Sequence, residues 1–279
     1  MTRSPVGTLL GMRPHAVDSE ALRRTVGGRL VVITGASRGI GRAVALRCAA
    51  AGAHVLLLAR DAAALASVAG EVRSAGGEAT VHAVDLRDLE AATAAGERIV
   101  AEHGAPALLV SNAGHSIHRD LVSYADRLHD VTRLAGVNLL GPVALALPIL
   151  VAMRRARQGQ LISVGTVGMA LPGPGWSVYT ATKAGFDAWL RSVSPELAAD
   201  GVAVTSIHLP LTRTAMSAPT YARTRLPALS ADDAATWVCR AALTRARVIS
   251  PWWGRLGAVA TAAFPSTADR LAEAIWRRS

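Results

Sequence analysis

Leu30-Val31-Val32-Ile33 runs directly into Thr34-Gly35-Ala36-Ser37-Arg38-Gly39-Ile40-Gly41. The apolar run, rich in β-branched residues, reads as a parallel strand buried on both faces. The glycines then turn the chain sharply, and an alanine-rich helix follows from about Gly41 to Ala51, ended by Gly52. The spacing is G-x-x-x-G-x-G rather than G-x-G-x-x-G, but the same physics applies. Backbone without a Cβ approaches a ligand closely, and a helix N-terminus offers free amides and a positive dipole end to a pyrophosphate. Glycine clusters are common in turns. Placed between a strand and a helix, this one marks a nucleotide site.

Outward from this turn the same alternation continues. Strands are expected at 54–59, 79–84, 107–111, 160–164 and 202–208, with helices at 61–75, 88–103, 126–153 and 177–199 between them. Strands separated regularly by helices imply crossover units. The expected fold is α/β: a single doubly wound Rossmann-type domain whose mostly parallel sheet is covered by helices on both faces. Residues 1–28 form an N-terminal extension with a short helix, Ser19–Val26, capped by Asp18. Residues 29–216 carry the strand–helix alternation, with the nucleotide turn at its start. From 217 to 279 the strand rhythm is lost. Pro219, Pro227, Pro251 and Pro265 punctuate helices near 231–244 and 266–277, a helical segment of the same domain.

Composition excludes several classes. The 279 residues are 51% hydrophobic, enough for a sizeable core, with a formal net charge of +10. Cys48 and Cys239 lack metal-ligand spacing, so neither a disulfide framework nor a metal site is expected, and a reducing cytoplasm suits the chain. The longest apolar run, about Val143 to Met153, is interrupted by Pro148 and falls short of the ~20 residues of a membrane span. No secretory leader pattern opens the chain. The arginines are scattered and no recognition motif is present, so nucleic acid is not an expected partner. The charge reads mostly as solvated surface, with attraction of anionic small molecules as its functional share. Scarcity is more telling: Lys183 is the single lysine among 30 basic residues, and Asn112 and Asn138 are the two asparagines.

The ordered motifs resemble the short-chain dehydrogenase/reductase family over roughly residues 29–216. The turn at 34–41 resembles its cofactor loop. Ser111-Asn112-Ala113-Gly114 resembles N-N-A-G, with Ser in the first place. Asn138 falls on a helix where the family has an active-site asparagine, and Tyr179-Thr180-Ala181-Thr182-Lys183 matches Y-x-x-x-K.

The resemblance implies a nicotinamide cofactor on Gly35, Ser37, Arg38, Gly39, Ile40, Gly41, Asn112, Ala113, Gly114, Tyr179, Lys183, Pro210 and Thr212, with Asp85-Leu86 at the adenine. At the end of the second strand, where an acidic residue would repel a 2′-phosphate, stand Ala59 and then Arg60. Arg38 and Arg60 suit a 2′-phosphate, because guanidinium pairs with phosphate in charge-assisted bonds. NADP(H) is therefore expected. The competing reading is that Arg60 merely pairs with Asp61.

Tyr179 and Lys183 share a helix face at i, i+4. A neighbouring ammonium is expected to favour the phenolate and lower the tyrosine's pKa. Thirteen residues before Tyr179 the resemblance implies a serine; Thr166 stands there and keeps the hydroxyl, with an added methyl that narrows the site. Ser163 is the alternative hydroxyl, expected inside the strand. Asn138 is expected to hold a water that joins Lys183 to solvent. The implied chemistry is hydride transfer to a carbonyl, with Thr166 and Tyr179 on its oxygen.

The run Pro210-Leu211-Thr212-Arg213-Thr214-Ala215-Met216 resembles the bacterial long-chain fatty acyl-CoA reductase branch. So do Ser111 to Arg119 and Gly254-Arg255-Leu256-Gly257. The implied substrate is an acyl-CoA thioester reduced to an aldehyde. Met169, Leu171, Pro172, Trp176 and Met216 are candidates for the acyl channel, and His115, His118 and Arg119 for the CoA phosphates. Alternatives are a ketone or β-keto reductase or alcohol dehydrogenase of secondary metabolism and, in another class, a weakly catalytic NADP-binding scaffold or sensor. A homodimer or homotetramer built on helices 126–153 and 177–199 is expected, and the tryptophan-bearing tail allows peripheral membrane contact.

Overall fold

The computed structural model describes residues 16–277 apart from Arg223 and Arg225, so residues 1–15 of the expected N-terminal extension lie outside it. Asp18 caps α1 (Ser19–Val26) by accepting the Glu20 N–H at 2.9 Å. Then follow β1 (Leu30–Thr34), α2 (Gly39–Ala50), β2 (His54–Ala59), α3 (Ala62–Ser74), β3 (Glu78–Ala83), α4 (Leu89–His103) and β4 (Leu108–Ser111). Two short helices, α5 (Leu121–Tyr124) and α6 (Leu128–Ala135), lead through a π turn (Gly136–Leu140) into α7 (Gly141–Arg155). The remainder is β5 (Gly159–Thr166), a 3₁₀ turn (Val167–Ala170), α8 (Ser177–Ala199), β6 (Val202–Leu209), α9 (Ala218–Tyr221), α10 (Ala231–Thr244), β7 (Val248–Ile249), α11 (Trp252–Ala263) and α12 (Pro265–Trp276).

The seven strands pair in the order β3-β2-β1-β4-β5-β6-β7, all parallel. Side chains alternate across the sheet, as the strand period requires. Val31, Ile33, Val55 and Leu57 pack under α1, α2, α3 and α10. Val32, Leu56 and Leu58 pack against α4, α7 and α8. Burial on both faces is why these strands read as continuous apolar runs. Strand order reverses between β1 and β4, which opens a crevice at their carboxyl ends.

Three expectations need correction. The helix expected over 126–153 is broken by the π turn and starts as α6 at Leu128. The tail does not abandon the sheet: β7 adds an edge strand, and α11 was not foreseen. Finally, Pro148 does not interrupt its apolar run structurally. It lies inside α7, and the helical path Leu128–Arg155 reaches 28 residues, long and apolar enough by length and composition to cross a membrane. Half of it is buried inside the protein, against α4 and β5, so it reads as a core helix. Gly96 of α4 permits that packing: a Cβ there would stand 2.6 Å from the Leu145 carbonyl oxygen and 2.7 Å from Pro148 Cγ.

Candidate active site

The glycine turn is shaped by what a side chain would strike. Gly35 has φ +65°, and a Cβ on it would lie 2.9 Å from Asn112 Nδ2. A Cβ on Gly41 would come within 2.3 Å of the Gly35 carbonyl oxygen. No side chain caps the first turn of α2, which opens at Gly39 after an extended Arg38. Its amides and dipole end therefore face the crevice as an anion cradle.

A compact knot joins this turn to the end of β4. The Thr34 hydroxyl accepts the N–H groups of Asn112 (3.0 Å) and Ala113 (2.9 Å) and donates to the Val110 carbonyl at 3.4 Å. Asn112 Nδ2 donates to the carbonyls of Thr34 (3.0 Å) and Gly35 (3.3 Å). Two strands that flank the switch point are thus fastened where a pyrophosphate would sit.

Cations rim one end. Arg38 and Arg60 are exposed. Asp61 does not absorb Arg60; its carboxylate caps α3 by accepting the Ala64 N–H at 3.0 Å. Asp85 binds Arg87 at 2.5 Å, and that guanidinium holds its carboxyl below the usual range. His115 is exposed at the surface; partial desolvation, followed by the fields of Arg133 and Arg60, keeps it below an ordinary histidine's pKa. Leu86 is buried, and its carbonyl lies under Gly141 at the start of α7.

Tyr179 and Lys183 stand on the first turns of α8. Lys183 is buried, and Nζ donates to the Val164 carbonyl of β5 at 3.2 Å. A Cβ on Gly114 would meet Lys183 Nζ at 3.0 Å and Asn138 Oδ1 at 3.1 Å, so these three positions converge. Thr166 ends β5. Its hydroxyl accepts the Gly168 N–H at 3.2 Å, which leaves its own proton available to donate. Ser163 lies inside β5, in register with Ser111 and Ser206, and is buried.

One expected effect is reversed in this geometry. Burial pushes the Tyr179 phenol up to about 12, with Tyr221 adding to the effect, and lowers Lys183 to about 8. Desolvation thus outweighs the expected ammonium effect on the tyrosine. Asn138, in the π turn, spends its amide on protein: Oδ1 accepts the His115 N–H at 2.9 Å, while Nδ2 donates to the His115 carbonyl (2.9 Å) and Thr182 Oγ1 (3.1 Å). Its side chain clamps the loop after Gly114 onto α8.

Beside Tyr179 stands an aromatic wall. Trp176 lies edge-on to Tyr179 (centroids 5.7 Å), beside His118 (4.9 Å) and stacked on Tyr221 (5.9 Å, 5° between planes). Met169 folds back over Gly165, where a Cβ would meet its Cε at 2.8 Å, and Met216 is exposed. Arg119 is not free for an anion: it pairs with buried Asp130 at 2.9 Å and lies over the Tyr124 ring. Sequence reasoning missed Tyr221, although only three tyrosines exist. It also missed Thr214, whose Cγ2 lies 3.5 Å from a Cβ position on Gly39, and Thr34 as a knot. Pro210 and Thr212 begin the same loop, with the Thr212 hydroxyl turned onto the Pro210 carbonyl at 3.1 Å.

Comparison with known proteins bears on this arrangement. Residues 29–225 match the family model described as short chain dehydrogenase. A fatty acyl-CoA reductase of Acinetobacter baylyi is 41% identical over 202 residues, 72% of this chain and 68% of that protein. An uncharacterized oxidoreductase of Mycobacterium tuberculosis is 36% identical over 259 residues, 92% of this chain and 76% of its own length. A metagenomic short-chain oxidoreductase crystallised in complex with NADP superposes with a TM-score of 0.70 at 30% identity, covering 81% of this chain and 99% of that one.

Proposed function

Because the chain belongs to the short chain dehydrogenase family, we propose that it is an NADP(H)-dependent oxidoreductase that reduces a carbonyl, with an acyl-CoA thioester as substrate and an aldehyde as product. One observation carries the reading: the buried Lys183 converges with Gly114 and Asn138 at the carboxyl end of the sheet, on the helix that also carries Tyr179 and against β5, which ends in Thr166. The cofactor fits this chain's residues. The glycine turn leaves room that a Cβ would fill, and Arg38 and Arg60 give an exposed positive end for a 2′-phosphate. Residues 29–216 are assigned to cofactor and catalysis, and 217–279 to the substrate lid.

Bound NADPH supplies the hydride. Thr166 donates a hydrogen bond to the carbonyl oxygen and holds it facing Tyr179. Tyr179, kept protonated by burial, gives its proton to the oxygen as charge develops there. Lys183 returns a proton toward the phenol and, through its charge, limits the cost of that transfer. With a thioester, reformation of the carbonyl expels the CoA sulfur, which takes up the proton released by oxygen. Trp176, His118 and Tyr221 wall the site and exclude water from the reacting carbon. The likeness of substrate class rests on the Acinetobacter relative. Exposed Leu140, Leu147 and Val151 on the π turn and α7 support a homo-oligomer.

The test is NADPH oxidation with a panel of acyl-CoAs, aldehydes and ketones. Turnover of long acyl-CoAs is expected, at least about a hundredfold lower in Tyr179→Phe, with NADPH affinity held within a few-fold. Ketone turnover without thioester turnover would move the substrate to a ketone reductase's. Activity retained by Tyr179→Phe would remove Tyr179 as the acid.

A further inference from the structure

The last two helices expose large apolar side chains to solvent. Trp252, Leu256 and Val259 follow at i, i+4 and i+7 along α11, and Leu271 and Ile275 at i, i+4 along α12, with Phe264 at the bend between them. These six side chains are between 55 and 70% exposed, and α12 buries none of its residues. Isolated exposed leucines need no explanation; six large apolar side chains exposed on two consecutive helices and the bend between them do.

The inner side of α11 is occupied. Cβ positions on Gly254 and Gly257 stand 3.1 Å from Val167 Cγ1 and 3.0 Å from Leu171 Cδ2. Both partners belong to the segment that follows Thr166, so the inner side of α11 rests on the stretch that leads from Thr166 toward Trp176. We infer that the exposed face of α11 and α12 docks on an anionic lipid bilayer, with the two helices lying in the plane of the interface. Each helix spans about 18 Å, long enough to lie along a surface and too short to cross one. The chain's net charge of +10 complements an anionic leaflet, and along the two helices Arg255 and Arg270 outnumber Asp269, while Glu273 is neutralised by Arg277. Apolar burial and electrostatic attraction then act together, as in other interfacial helices. The inference goes beyond the proposed reduction, because it concerns binding rather than turnover.

The experiment is cosedimentation of the full chain with phosphatidylglycerol/phosphatidylcholine vesicles, beside NADPH titration and light-scattering mass. The wild type is expected to pellet with anionic vesicles and about tenfold less with phosphatidylcholine alone or at high salt. Leu256→Glu/Leu271→Glu/Ile275→Glu is expected to lose vesicle binding at least about tenfold, with cofactor affinity and mass unchanged. Phe264→Ser, at the bend, is expected to show a smaller loss of the same kind. Wild type that stays in the supernatant with anionic vesicles overturns the inference. So does a triple variant that binds vesicles normally but changes mass, which would assign these side chains to a second copy of the chain.

Discussion

Lys183 is where composition and chemistry meet. In a chain whose basic residues are otherwise all arginine, one lysine is kept, buried and aimed at the Val164 carbonyl. Arginine holds its proton too tightly, and is too bulky, to serve there. Burial lowers Lys183 to about 8 while Tyr179 rises to about 12, so over neutral pH the tyrosine stays protonated and the lysine is the group that titrates. For carbonyl reduction, kcat/KM is expected to hold up to about pH 8 and then fall about tenfold per unit as Lys183 loses its proton. A profile flat to about pH 10 would remove Lys183 from the proton path. Stability runs the other way. The folded value lies below the ordinary 10.5, so between about 8 and 10.5 the unfolded chain binds this proton more readily. The contribution of Lys183 to stability therefore rises with pH through that window. A urea titration at pH 8 and pH 10 separates this from the activity limb.

At the scale of elements, the knot between the ends of β1 and β4 holds the site's two halves together. Thr34→Val keeps the volume but leaves the Asn112 and Ala113 amides without their acceptor. The expected cost is about 1–3 kcal/mol in urea unfolding, with weakened NADPH binding, because the loop it positions forms the cradle. An unchanged midpoint would show that water replaces the hydroxyl without loss. Periodicity made most elements legible. α10 (Ala231–Thr244) and α1 lie where the sequence pattern put them, since capping residues and apolar spacing act locally. What was not legible depends on distant partners. β7 has only two residues and exists because β6 offers it an edge. The π turn at Asn138 arises where that side chain clamps the loop after Gly114, a contact no local pattern announces. Thr214 and Tyr221 reach the site from the loop after β6, whose path depends on tertiary packing.

Over the whole molecule, the order reversal between β1 and β4 puts the ends of β1, β2 and β4 around one crevice, and with them Arg38 after β1 and Arg60 after β2. Of the acidic neighbours, Asp61 caps α3 and Asp85 is bound to Arg87, with the field of Arg60 also reaching Asp85. On the proposed reading, a 2′-phosphate gains from the positive potential of Arg38 and Arg60, while a bare ribose hydroxyl gains little from it. NADPH is expected to give the higher kcat/KM, and Arg60→Glu to lower the NADPH-to-NADH ratio by at least about a hundredfold, since a favourable contact is replaced by like-charge repulsion. Cofactor that binds only the folded chain also stabilises it, by about 2.7 kcal/mol at a hundredfold excess over Kd. Thermal unfolding should thus show a larger rise in Tm with NADPH than with NADH in the wild type, and the reverse order in Arg60→Glu. Equal shifts from the two cofactors in the wild type would mean that Arg60 belongs to the solvated surface and that the crevice reads only the pyrophosphate.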